Sequence, residues 1–142
     1  MRKRQDIKMG STSGVTILEI LVVLAIIALL ASVVAPRVIG QLGKAKTQTA
    51  ALQIDNLVSA VQLFYIDTGR YPSETEGLPA LFAAPTGAEG WSGPYLDTEE
   101  ALSDPWGRDY IYSGEGAAGF GIQSLGRDGT TGGSGEDVDL AS

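Results

Sequence analysis

The 142-residue chain contains no cysteine and no histidine. Without Cys there is no disulfide framework, no thiolate metal site and no thiol nucleophile. Without His the commonest general base and the commonest transition-metal ligand are both missing, so no nucleophile–histidine pair can form. Only carboxylates, Lys, Tyr or hydroxyls remain for chemistry. Positive charge is scarce as well: ten Lys and Arg stand against 17 Asp and Glu, a net charge of -7. Arg2, Lys3, Arg4 and Lys8 crowd the first nine residues, and beyond them six bases face sixteen acids. That balance gives no electrostatic footprint for nucleic acid, which needs Lys and Arg to replace counterions. The length allows one small domain with an attached segment, and the composition leans away from an enzyme.

One thing is abundant. From Val15 to Ala35 only Thr16, Glu19 and Ser32 are not plainly apolar. As a helix this run measures roughly 32 Å, enough to span a bilayer. The basic patch before it has the outline of an export signal, but no small-x-small cleavage site separates the run from the helix-compatible residues beyond it. The sequence therefore predicts a single-pass anchor with its N-terminus cytoplasmic and the rest outside. Glu19, four residues inside the start, is a carboxylate where burying one costs several kcal/mol. Pro36 ends the run and is expected to kink the helix.

Beyond Pro36 the pattern stays helical, with Val38, Leu42, Ala45, Ala51, Ile54, Val58, Val61 and Tyr65 as the expected apolar stripe, widened by Leu57 and Phe64. Gly69 and Pro72 predict a stop near Thr68. The 19 Gly and six Pro fall mostly beyond residue 66, so the remainder is rich in turns. A short helix or turn is expected over residues 76–82, a loop from Trp91 to Leu102 and a type I turn at Asp104-Pro105-Trp106-Gly107. Residues 109–112 and 119–124 read as two strands joined by a Gly-rich link over 113–118. The expected fold is a long α-helix leaning on a small antiparallel head, an α+β arrangement with no room for a deep cleft.

Three stretches carry a resemblance. Gly14-Val15-Thr16-Ile17-Leu18-Glu19 after a basic leader is similar to the class III signal of type IV pilins and pseudopilins. Arg70-Tyr71-Pro72, Thr75-Glu76-Gly77-Leu78, Asp104-Pro105-Trp106-Gly107-Arg108-Asp109-Tyr110 and Ser124-Leu125-Gly126 come after it in order. Together they resemble the major pseudopilin of type II secretion systems, whose usual wording is close to R-Y-P-T-T-E-Q-G-L, D-P-W-G-x-x-Y and S-L-G-x-D-G. Adhesive pilins usually carry a C-terminal disulfide loop, which this chain cannot form. The resemblance implies a type IV pilin-like fold divided into a leader (1–14), a membrane and filament-core helix (15–36) and a periplasmic head (37–142). It also implies cleavage between Gly14 and Val15 by prepilin peptidase and N-methylation of Val15. The family typically has Phe after the cut, and this chain has Val15. Glu19 and Pro36 then belong to filament assembly.

The last stretch, from Leu125 to Asp139, sets Asp128, Glu136, Asp137 and Asp139 among glycines, a composition that suits Ca2+ and equally a solvated acidic tail. An EF-hand is ruled out because Gly132 stands where a ligand belongs, and a β-roll because its repeat occurs once. The resemblance supplies a different template. It implies Asp128, Asp137 and Asp139 as side-chain ligands of a calcium ion, with the carbonyls of Leu125 and Thr130.

Taken as a whole, the resemblance implies a subunit, not a catalyst. The chain would be made in the inner membrane and polymerise with itself into a short periplasmic helical filament. Minor pseudopilins and an inner-membrane assembly platform would be its partners, and secreted exoproteins its cargo. The alternatives are a monomeric membrane-anchored calcium-binding module or a subunit of another type IV pilus-like system. A carboxylate hydrolase built on Asp104 and Asp109 is the weakest reading, because turn geometry explains both residues.

Overall fold

The computed structural model describes residues 14–114 and 119–142. The basic leader and residues 115–118 of the expected Gly-rich link lie outside the described residues. The chain forms two compact units, Met1–Val38 and Ile39–Ser142.

Helix α1 spans Ile17–Thr68, and its assignment runs through Pro36. Its start is capped by Thr16, whose Oγ1 accepts the Glu19 N–H at 3.2 Å while its carbonyl accepts the Ile20 N–H. Thr16-x-x-Glu19 is thus a capping-box sequence, with the acid near the positive end of the helix dipole. In the first unit no described residue covers the helix. An 18-residue window has mean hydropathy 3.0 and none of it is buried. Leu18, Leu29 and Leu30 are each more than half exposed. Apolar surface of this extent in water is unfavourable, and by length and composition the segment fits a membrane anchor.

In the second unit α1 buries Gly43, Ala50, Ile54, Leu57, Ala60, Val61 and Phe64. This corrects the expected stripe: Val38, Leu42 and Tyr65 are exposed, and only Ile54, Leu57, Val61 and Phe64 of the expected set are core. The reason is that the packed face uses small residues, Gly43 and Ala50, which let the side chains of Glu136 and Tyr110 reach the helix backbone. A hydropathy pattern gives such residues little weight. Leu52, Leu63 and Ile66 lie on the opposite side of the helix at 64, 50 and 72 % exposure. The helix stops where Gly69, at φ 73°, donates its N–H to the Tyr65 carbonyl at 2.8 Å.

The sheet has three antiparallel strands in the order β1 (Ile111–Gly114), β2 (Phe120–Ser124) and β3 (Leu140–Ala141). Ile111 pairs with Gln123, Gly114 with Phe120, and Gln123 with Ala141. The first strand lies two residues later than expected, because the Asp104 turn holds residues up to Tyr110. The third strand was not expected: its segment is only two residues long and comes after an acidic loop. Ser142 fixes its end, donating N–H to the Ile122 carbonyl and accepting the Ile122 N–H on Oγ, both at 3.0 Å. Short 3-10 turns at Leu78–Leu81 and Glu99–Leu102 complete the cover. Phe64, Leu57, Leu81 and Ile122 are fully buried between helix and sheet.

Two polar clamps hold the chain where it leaves α1. Arg70 grips Glu76 through two bonds of 2.7 and 2.8 Å, and Glu76 also accepts the Ser73 N–H at 2.8 Å. These donors, the guanidinium foremost, pull the Glu76 carboxyl down from 4.5 to about 2. A folded-state value below the unfolded one means this stability is complete above pH 4.5 and is lost as pH falls through about 2. With solvent screening of a partly exposed pair, we expect roughly 1–2 kcal/mol. Acid titration of melting temperature should show this slope for the parent chain, and Glu76→Gln should flatten it. The second clamp is Asp67, which accepts hydroxyl bonds from Ser92 and from Tyr95 (2.7 Å) and so anchors the loop to the helix end.

Candidate functional site: the apolar helix and the C-terminal loop

The first candidate site is the start of α1. Gly14, Val15 and Glu19 are all exposed, and Glu19 sits in the first helical turn within the uncovered apolar run. Gly14 lies just ahead of the helix, outside any regular element, with open space around its Cα. The bond between Gly14 and Val15 lies just ahead of the helix whose first turn Thr16 caps.

The second candidate site is the C-terminal loop, rooted on a buried carboxylate whose sequence pattern signals only a turn. Asp104 is 5 % exposed. Its Oδ1 accepts the N–H groups of Trp106 and Arg108 at 3.0 and 2.9 Å, and Oδ2 accepts the Ser124 hydroxyl at 2.8 Å. Gly107 N–H closes the turn on the Asp104 carbonyl at 2.9 Å, as expected of a type I turn. Arg108 then donates to the Gly126 carbonyl at 2.7 Å. One carboxylate thus ties the turn, the end of β2 and the root of the loop together. Asp109, its partner in the hydrolase reading, is exposed and accepts a bond from Ser103 at 3.0 Å. That geometry is structural. Burial raises the Tyr110 hydroxyl well above its ordinary value, with Asp104 adding to the effect, and this hydroxyl donates to Gln53 Oε1 at 2.8 Å.

The loop leaves at Gly126, where φ is 64° and an added Cβ would lie 2.7 Å from the Glu136 carbonyl and 2.9 Å from that of Val138. Only Gly permits this close backbone crossing. Leu125 precedes and Thr130 follows the turn at 126–129. Asp128 is exposed and accepts the Thr130 N–H at 3.1 Å and hydroxyl at 2.8 Å; these bonds pull its carboxyl below the usual range. Asp139 Oδ2 accepts the Gly132 N–H at 2.9 Å, while its Oδ1 is buried without a donor among the described residues. Asp137 goes elsewhere. Both its oxygens receive Arg127, at 2.9 and 3.1 Å, and the pair raises the Arg127 guanidinium above its ordinary value.

For a calcium ion, which gathers six to eight oxygens, this donor set fits in part. Asp139 Oδ1 is a buried acceptor with no donor among the described residues, and Asp128 keeps spare acceptor capacity, so both can accept a cation. Asp137 faces Arg127 instead, and among the described residues no three acidic groups converge on a common point. Sequence reasoning missed Arg127 as a participant. It also missed Glu136, whose side chain is seated on Gly43 of α1, where an added Cβ would collide with its carboxylate. The Trp106 indole N–H reaches Glu136 Oε2 at 3.5 Å. The signal for that seat was a Gly in mid-helix, which costs about 1 kcal/mol unless something must approach there.

Comparison with known proteins bears on the whole chain. The family described as "Type II secretion system (T2SS), protein G" matches residues 37–142. A type II secretion system core protein G from Xanthomonas campestris pv. campestris is 39% identical over 130 residues, covering 90% of this chain and 87% of that one. The core protein G of Pseudomonas aeruginosa is 37% identical over 145 residues, covering 99% and 96%. Among solved structures, the major pseudopilin of the type 2 secretion system of enterohaemorrhagic Escherichia coli superposes with a TM-score of 0.56 at 29% identity. That match covers 72% of this chain and 90% of the other. An uncovered apolar helix, an antiparallel head and relatives matched over nearly their full length lead to one conclusion: this chain belongs to the type II secretion system protein G family, the major pseudopilins.

Proposed function

We propose that the chain is the repeating subunit of a periplasmic pseudopilus and works by assembly, with no catalytic step. The observation that carries this reading is the first part of α1, strongly apolar in an 18-residue window of mean hydropathy 3.0 and with none of that window buried among the described residues. Prepilin peptidase would cut between Gly14 and Val15 and methylate Val15. The subunit would wait in the inner membrane, N-terminus cytoplasmic and head periplasmic, until the assembly platform adds it to a filament begun by minor pseudopilins. Copies related by one repeated, non-closing contact give a helical fibre. Apolar helices would form its interior, and its growth would drive exoproteins outward. A monomeric anchored module would leave the helix in lipid alone. Introducing Cys by Ile20→Cys and oxidising in cells that overproduce the secretion machinery separates the two. A ladder of crosslinked multimers is expected, and monomer alone would refute assembly.

Calcium is proposed as the ion of the C-terminal loop, with Asp128, Asp139 and the Leu125 and Thr130 carbonyls as donors and Asp137 joining them. Bound there, it would supply a fixed divalent charge that offsets the ordering entropy of a glycine-rich segment and stabilises the head. The buried, donorless Asp139 Oδ1 supports this reading. Saturable Ca2+ uptake in calorimetry is the measurement; no heat of binding would remove the ion.

A further inference from the structure

We propose that Arg127 is an internal counter-cation of the C-terminal loop, which calcium must displace from Asp137, so that Arg127 sets the affinity for the ion. The inference rests on the calcium reading above and concerns a residue that reading does not use.

The geometry is that of a built-in competitor. The guanidinium presents Nε and Nη2 to the two oxygens of Asp137 at 2.9 and 3.1 Å, a two-pronged grip that covers both carboxylate oxygens. Its Nη1 lies 3.8 Å from Glu136 Oε1, so a second acid of the loop shares the same positive charge. The backbone reinforces the pairing: Arg127 N–H donates to the Glu136 carbonyl at 2.8 Å. Main chain and side chain of one residue therefore bind the two sides of the loop to each other, without any metal.

Asp137 cannot serve two cations in this arrangement. An oxygen turned to Ca2+ must leave the fork, and a guanidinium remaining beside a divalent ion is repelled by it. The grip is releasable, because the Arg127 side chain is 55% exposed and can swing into water. Asp139 has no such engagement, since Oδ1 is buried without a donor. The loop thus divides its acids: Asp128 and Asp139 accept only neutral donors, from Thr130 and Gly132, while Asp137 is held by a charged one. The metal-free head is therefore more ordered than an all-acidic loop would be. Calcium, in turn, binds more weakly than it would without Arg127.

The test uses the full chain in detergent micelles, titrated with calcium chloride in a calorimeter. Arg127→Ala is expected to bind Ca2+ roughly threefold to tenfold more tightly than the parent, the size expected for losing one partly screened charge near the ion. Arg127→Lys, which keeps the charge but loses the fork, should fall between them. In calcium-free buffer Arg127→Ala should melt below the parent, a gap that saturating calcium should close. Equal or weaker calcium affinity in Arg127→Ala would overturn the proposal. If that variant does not fold without metal, Arg127→Lys decides on the same criterion. Absence of uptake by all three proteins is a separate result: it removes the calcium reading itself, and this proposal with it.

Discussion

Glu19→Leu is expected to insert into the membrane as well as the parent chain and to yield no filaments. Insertion is governed by hydropathy, and the change removes the one acid from an otherwise apolar run. Assembly is another matter. Under the proposed cleavage after Gly14, Val15 would carry a positive amine four residues, about one helical turn, from Glu19. When helices pack side by side in a fibre, Glu19 of an incoming subunit can neutralise the amine of its neighbour. Removing the acid leaves that amine buried without a partner, a defect of about 3–5 kcal/mol at each added subunit. That is a loss of roughly 10²–10⁴ in the equilibrium constant for each addition. Electron microscopy of sheared filaments, with membrane fractionation as control, reads both halves of the expectation. Normal filaments from Glu19→Leu would show that the carboxylate has no part in assembly.

The second large effect is expected at Asp104. Replacing it by Ala strands two backbone N–H groups and the Ser124 hydroxyl in a buried setting, since all three now reach its oxygens within 3.0 Å. Stranded donors cost about 1–3 kcal/mol each, partly relieved by water, so a loss of about 3–4 kcal/mol is expected. For a domain of this size that lowers the melting temperature of a soluble fragment starting at Arg37 by roughly 15–20 °C. Because Arg108 and Ser124 both lead to Gly126, the C-terminal loop should lose protection from hydrogen exchange along with the turn. Asp109→Ala, which removes only an exposed bond to Ser103, should leave melting almost unchanged. A similar loss from both variants would mean that Asp104 holds nothing together.

These two residues illustrate what a sequence displays and what it conceals. The apolar run, the misplaced acid within it and the Gly69 stop are local patterns, and each maps directly onto α1. The motif order from Arg70 to Ser124 carried the family. The packed face of α1 was harder to find because Gly43 and Ala50 act by being small, which leaves no hydropathy signal. Asp104 read as a turn former, which it is. Its burial depends on Ser124, twenty residues away, and no local pattern announces such a partner. The C-terminal loop was legible as acidic and glycine-rich, a composition that suits a cation and a solvated tail equally. It could not disclose that Arg127 turns onto Asp137, ten residues away, because only the backbone crossing at Gly126 brings the two together.

The most direct measurement for assembly of a processed subunit is the intact mass of the protein recovered from cells that contain prepilin peptidase. The expected species begins at Val15 and carries one additional methyl group on its amine, so that Glu19 gains the partner described above. A chain beginning at Met1, or one cut after residue 35, would contradict processing at Gly14 and the use of the apolar helix as an assembly surface.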